Sequence, residues 1–122
     1  MREAGRQQVI EAFLKRHSRK SGNYMSNGTQ LLLFGNVVAE HTSDRETDLY
    51  SGPCIMIQDA GWRSKTTLAT LRHLLHAIVS PYRLETRKGV WWFGLHGNVK
   101  QIGWCGSAFV PVSQYGQQEI FR

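Results

Sequence analysis

Four two-residue turn signals constrain this chain more than any other feature: Asn27-Gly28, Gly35-Asn36, Lys88-Gly89 and Gly97-Asn98. Asn-Gly and Gly-first pairs supply the positive φ angles of type I′ and II′ turns, whose twist matches antiparallel strands. Between the first two signals, Thr29 to Phe34 is an ordinary strand length. Residues 23–41 therefore predict a three-stranded meander. Cys54 to Asp59 returns as a strand and closes a β-rich stretch over 23–59. Further along, Tyr82 to Arg87 and Val90 to Leu95 flank Lys88-Gly89, and Val99 to Trp104 follows Gly97-Asn98. Residues 108–112 read as a short edge strand, because Pro111 has no N–H for a central ladder. The pattern Leu-X-Gly-Asn-Val recurs at Leu33 to Val37 and Leu95 to Val99, which reads as shared hairpin grammar rather than duplication.

Two helical periodicities flank the first meander. Val9, Ile10, Phe13, Leu14 and His17 share one face of a 3.6-residue repeat, predicting a helix over 2–17. Leu68, Leu71, Leu74, Leu75 and Ile78 do the same over 64–80. Ser64 or Thr66 is its N-cap, and Pro81 ends it by pushing the preceding residue out of helical geometry. The expected fold is α+β: two helices packed on a twisted antiparallel sheet of about six or seven strands built from hairpins. Phe13, Leu14, Leu31, Leu33, Ile55, Ile57, Leu71, Leu75 and Ile78 form its expected core. The 122 residues suit a single domain. Its order is a helix at 2–17, strands at 23–59, a helix at 64–80, hairpins at 82–112 and a polar tail at 113–122.

Charge is unevenly placed within the net +6. Residues 1–20 carry six basic and two acidic side chains, residues 21–60 one and five, and residues 61–122 eight and two. Such asymmetry favours a polyanionic partner, or a protein that itself binds one. No apolar run approaches a membrane span, and the first residues lack the apolar core of a secretory signal. A cytoplasmic chain with two buried, reduced thiols, Cys54 and Cys105, is the expectation. Residues 42–53 read as a polar, acidic loop carrying Asp44, Glu46 and Asp48.

Catalytic and metal chemistry finds little footing. His73 and His76 sit three apart on the second helix, but no CxxC or HExxH spacing supplies further ligands. No Gly-X-Ser-X-Gly elbow surrounds a serine. The glycine pairs at 94–97 and 103–106 lack the Lys-Ser/Thr and helix of a phosphate loop. Catalytic residues, metal and cofactor are therefore all expected to be none.

Basic residues interleaved with aromatics are the suggestive feature. Lys15, Arg16, Arg19 and Lys20 read either as a solvated helix end or as a phosphate-binding patch. Arg87 and Lys88 precede Trp91 and Trp92, and side-chain alternation turns those two rings to opposite faces. Trp62-Arg63 stands just before a helix N-terminus, where backbone N–H groups attract anions. An aromatic ring beside arginine suits both base stacking and a protein hot spot, while core packing is the ordinary use of such rings.

Ser26-Asn27-Gly28, Leu31 to Ala39 with Gly35-Asn36, Ile55 to Ile57, and Gly61-Trp62-Arg63-Ser64-Lys65-Thr66-Thr67 with the later leucines form a wider pattern. This stretch resembles small uncharacterised bacteriophage and mobile-element proteins, over a little under half of the chain. The resemblance implies a phage setting and brings no catalytic residues. In that setting the leading expectation is a non-enzymatic binding protein that inhibits a host nucleoprotein machine. An anti-CRISPR inhibitor of a guide-loaded nuclease fits it, contacting host protein, ribonucleoprotein or nucleic acid. Two alternatives stand beside it: a direct DNA- or RNA-binding accessory protein, and a small metal-dependent enzyme or nuclease.

Overall fold

The structure, a computed structural model, describes residues 2–46, 51–78, 80, 82–95 and 101–111. Asp48, Pro81, the Gly97-Asn98 turn and the tail at 113–122 lie outside the described residues. The chain runs α1 (Arg2–Leu14), β1 (Ser18–Ser21), β2 (Tyr24–Asn27), β3 (Gln30–Leu33), β4 (Asn36–Glu46), β5 (Ser51–Gln58) and α2 (Lys65–Ala77). It continues with β6 (Tyr82–Arg87), β7 (Val90–Leu95), β8 (Ile102–Gly103) and β9 (Ser107–Pro111). All pairings are antiparallel and the architecture is α+β. The strands form two sheets rather than the expected one, in the orders β1-β2-β3-β4-β5-β9 and β6-β7-β8.

The first helix stops three residues short of its expected end. Arg16 adopts φ 60°, its N–H bonds the Phe13 carbonyl at 3.0 Å, and the His17 N–H reaches the Ala12 carbonyl at 2.7 Å. That pair of bonds is a Schellman motif, which closes a helix on one left-handed residue. Arginine stands here where glycine is usual, so the stop carries no sequence signal. Val9, Ile10 and Phe13 are fully buried, whereas His17 is exposed and belongs to no helical face. Residues 18–21 then form an edge strand, which places Arg19 and Lys20 in a sheet and not at a helix end.

The second helix begins as its cap predicts. Ser64 Oγ accepts the Thr67 N–H at 3.1 Å, and Leu71, Leu74 and Leu75 are buried along one face. It ends at Ala77, within the wider 64–80 expected. The Ile78 N–H still bonds Leu74, and the Ser80 N–H reaches the Leu75 carbonyl.

Within the expected loop at 42–53, residues 42–46 belong to β4 and residues 51–53 to β5, and residues 47–50 lie outside the described residues. Past an irregularity between His41 and Asp44, the β4–β5 ladder resumes with Asp44 opposite Pro53 and Glu46 opposite Ser51. Long-range pairing here overrides a polar composition that reads locally as irregular. Of the expected strand over Val99 to Trp104, Val99 and Lys100 lie outside the described residues, Ile102–Gly103 form β8, and Trp104 follows it. The edge strand near Pro111 is real but pairs with β5, so it joins the large sheet.

A single buried cluster unites the two sheets. Phe13, Leu31, Leu33, Ile55, Ile57, Leu71, Leu75 and Ile78 lie in it as expected, while Leu14 is only half-buried beside it. Leu84, Trp91, Trp104 and Val110 complete it from the C-terminal third. His41 ties α1 to β4, with its Nε2 2.7 Å from the Phe13 carbonyl and its ring stacked on Phe13 at 4.3 Å. Burial, reinforced by the nearby Arg16 charge, lowers the His41 pKa despite the carbonyl contact. The two cysteines differ: Cys54 is buried, but Cys105 is exposed, contrary to the expected pair of buried thiols. Among the described residues, no helix is long and apolar enough to cross a membrane.

Candidate binding site

Three tight turns converge at one end of the large sheet. The β1–β2 turn holds Gly22 and Asn23, the β3–β4 turn holds Phe34 and Gly35, and Ala60-Gly61 leads from β5 towards α2. The Phe34 N–H bonds the Asn23 carbonyl at 2.8 Å, which joins the first two turns. Phe34 and Gly35 have φ of 53° and 80°, and Ala60 and Gly61 repeat the combination with 55° and 79°. Consecutive positive φ angles are the type I′ geometry; a phenylalanine in the first position is strained, since its Cβ crowds the backbone there.

Those turns present an aromatic pair. Phe34 and Trp62 stack with ring centroids 5.8 Å apart, and they remain 49% and 56% exposed. Asp59 and Arg63 support them from below. Asp59 is only 5% exposed. Its carboxylate accepts the Gly61 N–H at 2.8 Å, Arg63 Nε at 2.9 Å and the Trp104 indole N–H at 2.8 Å. Arg63 Nη2 also donates to the Trp104 carbonyl at 3.2 Å. Burial works against the charge on Asp59, but these donors outweigh it and hold the carboxyl below its ordinary pKa. Trp104 stands between β8 and β9, so the network clamps the link between the two sheets to the start of α2.

Beside the aromatic pair lies an open groove of about 770 Å³, with Phe34 on its rim. Arg6 of α1, Asn23, Tyr24, and Lys65 and Thr66 of α2 are among its walls, and among the described residues no carboxylate lines it. Arg6 Nε is buried and has no hydrogen-bond partner among the described residues.

The residues expected to bind from the sequence are dispersed. Trp62 is exposed at this corner, while Arg63 turns inward to Asp59. Lys15, Arg16, Arg19 and Lys20 are exposed but do not form one patch, because Arg19 and Lys20 alternate on β1 and Arg19 Nη2 is held by Gln8 at 2.9 Å. Arg87, Lys88 and Trp92 lie on the β6–β7 hairpin, away from the groove's walls. There Arg87 Cζ stands 4.8 Å from the Trp92 ring centroid and its Nη2 bonds Gln101 at 2.9 Å. Trp91 is a correction: alternation turns it inward, where it is 4% exposed and packs against Trp104 at 6.3 Å. No ligand can stack on it. Asp44 and Glu46 lie near the C-terminal end of β4, and Asp48 lies outside the described residues.

Phe34, Arg6, Lys65 and Asp59 were missed by the sequence reading. Placing the turn at Gly35-Asn36 put Phe34 in a strand; moving it back one residue exposes the ring. Arg6 and Asp59 carry no local signal, since only packing brings α1 and the β5 end to this corner. Among the described residues, no group of three His, Cys, Asp or Glu side chains is placed to hold a metal ion. Comparison with protein-family models, with curated proteins and with solved structures found no match to this chain.

Proposed function

We propose that this chain is a non-enzymatic binding protein that engages a nucleoprotein complex of a bacterial host, in the manner of a phage-encoded inhibitor of a guide-loaded CRISPR nuclease. The reading places it in the host cytoplasm. The observation that carries it is the solvent-exposed Phe34–Trp62 pair, standing beside a groove that, among the described residues, Arg6 and Lys65 line and no carboxylate does. Large exposed rings on rigid turns bind at low entropic cost, and they suit bases and protein hot spots alike. The net charge of +6 supports a polyanionic component in the partner.

The test is size-exclusion co-elution with a guide-loaded nuclease and with the same nuclease lacking its guide, alongside a cleavage assay. Co-elution with the loaded form and loss of cleavage support the reading. Absence of both across the host's nucleoprotein effectors removes it. Direct binding of DNA or RNA as an accessory protein is the second reading, favoured by the exposed Lys15, Arg16 and Lys20. Changing Arg16, Arg19 and Lys20 together to Glu should then abolish binding to free nucleic acid, and unchanged affinity rules that surface out.

A further inference from the structure

We infer that the groove between α1, the β1–β2 turn and the start of α2 binds single-stranded nucleic acid, one backbone phosphate lying against Arg6 and Lys65 and its base stacking on the Phe34–Trp62 pair. The inference rests on the reading that the partner contains nucleic acid, and it names the strand as the part that is gripped.

The argument begins with charge. Arg6 and Lys65 come from different helices and line one groove that, among the described residues, no carboxylate lines. Arg63, two residues before the α2 start, is already neutralised by Asp59 at 2.9 Å. Among the described residues, the cations left without a carboxylate partner on the groove are Arg6 and Lys65. Arg6 is half-buried in the groove wall, and its Nε has no hydrogen-bond partner among the described residues. Guanidinium geometry suits a phosphate oxygen met from the groove.

Shape points to a nucleotide unit rather than a bare anion. The groove, at about 770 Å³, lies within the ordinary range for small-ligand sites. Tyr24 and Phe34 are among its lining side chains, and Phe34 in turn stacks on Trp62. Groove and aromatic pair are therefore continuous through one ring. A duplex keeps its bases paired and stacked internally, whereas a single strand offers free base faces. The turn chemistry agrees. Glycine would satisfy the backbone at position 34 without strain, yet a phenylalanine occupies it at φ 53° with its ring half in solvent.

Fluorescence anisotropy with short labelled single-stranded DNA and RNA, against the same sequences as duplex, tests the inference directly. Single strands should bind more tightly than duplex. Trp62→Ala and Phe34→Gly should each weaken binding about tenfold, the range of one base–aromatic stack. Lys65→Ala should weaken it and reduce the salt slope by about 1, as removal of one phosphate contact does. Arg6→Ala should act similarly; because α1 packs on the core, Lys65→Ala, at an exposed side chain, keeps the test valid if the Arg6 variant misfolds. Arg87→Ala should leave affinity unchanged. Phe34→Gly should bind less while melting no lower than the parent, an outcome that a purely structural ring would reverse. Failure to bind any single strand, or binding indifferent to Lys65, Trp62 and Phe34, overturns the inference. Co-elution with a guide-loaded nuclease that survives Lys65→Ala and Trp62→Ala would leave the inhibitor reading standing and this groove excluded. Groove-dependent oligonucleotide binding without any nuclease contact would do the opposite.

Discussion

The protein sets an aromatic ring beside an arginine in two places, and treats them differently. On the β6–β7 hairpin, Arg87 lies over Trp92 and is held by Gln101, so cation and ring satisfy each other. At the turn corner, Arg63 is drawn inward to Asp59, and Trp62 is left facing solvent with Phe34. The same pairing of ring and guanidinium gives a closed surface in one case and an open one in the other. What decides is the nearest competing partner: a buried carboxylate outbids a ring for the guanidinium, because a charge-assisted hydrogen bond exceeds an exposed cation–π contact.

The largest effect that sharpens this contrast comes from the buried ring of the hairpin. Trp91→Ala should cost about 3–5 kcal/mol in denaturant unfolding, as large aromatic truncations in cores do. Trp62→Ala should change stability by no more than about 0.5 kcal/mol, as exposed positions do. Similar losses for both would break the distinction between a structural and a displayed tryptophan.

Next comes the clamp beneath the open corner. Asp59→Ala strands the Trp104 indole N–H and the Arg63 guanidinium, at a cost of about 1–3 kcal/mol. Unchanged unfolding would show that the network does not hold Trp104. Acid separates the contributions further. The Asp59 carboxyl has a lower pKa folded than unfolded, so its stabilisation is present above the ordinary 3.8 and is lost as pH falls through the lower folded value. The His41 pKa is also lowered by folding, so its contribution is present above the ordinary 6.5 and is lost on acidification below it. Melting temperature followed against pH should show an early loss that His41→Gln flattens and a later one that Asp59→Asn flattens. A profile insensitive to both variants would refute these assignments.

Smaller effects follow. Ser64→Ala removes the cap of α2 and should lower stability by about 1 kcal/mol in the same denaturant assay. Arg87→Ala should cost about 0.5–1 kcal/mol, the value of an exposed cation–π contact, and should leave the corner untouched. A shift in Trp62 fluorescence in that variant would show that the two surfaces are coupled after all.

Local chemistry was legible wherever it is strong. The hairpins at Asn27-Gly28 and Lys88-Gly89, the Ser64 cap, the apolar face of α2 and the edge position of Pro111 follow from residue identity, because each depends on neighbours within a few positions. Arg16 defeated the same reasoning: its left-handed cap uses a residue that gives no sign of it, so α1 was drawn too long and β1 was hidden. The acidic stretch after His41 failed for the converse reason, since its ladder depends on a partner strand and not on its own propensity.

The candidate site divides along the same line. By itself the sequence determined an antiparallel α+β chain and Trp62-Arg63 before a helix start, and it left the exposure of each tryptophan open. Only the tertiary structure decided that Trp91 is core and Trp62 is surface, that Asp59 takes Arg63 away from the ring, and that Arg6 and Lys65 share a groove with Phe34. Those outcomes depend on contacts between residues far apart in the chain, and the balance among competing partners is fixed only when packing brings them together.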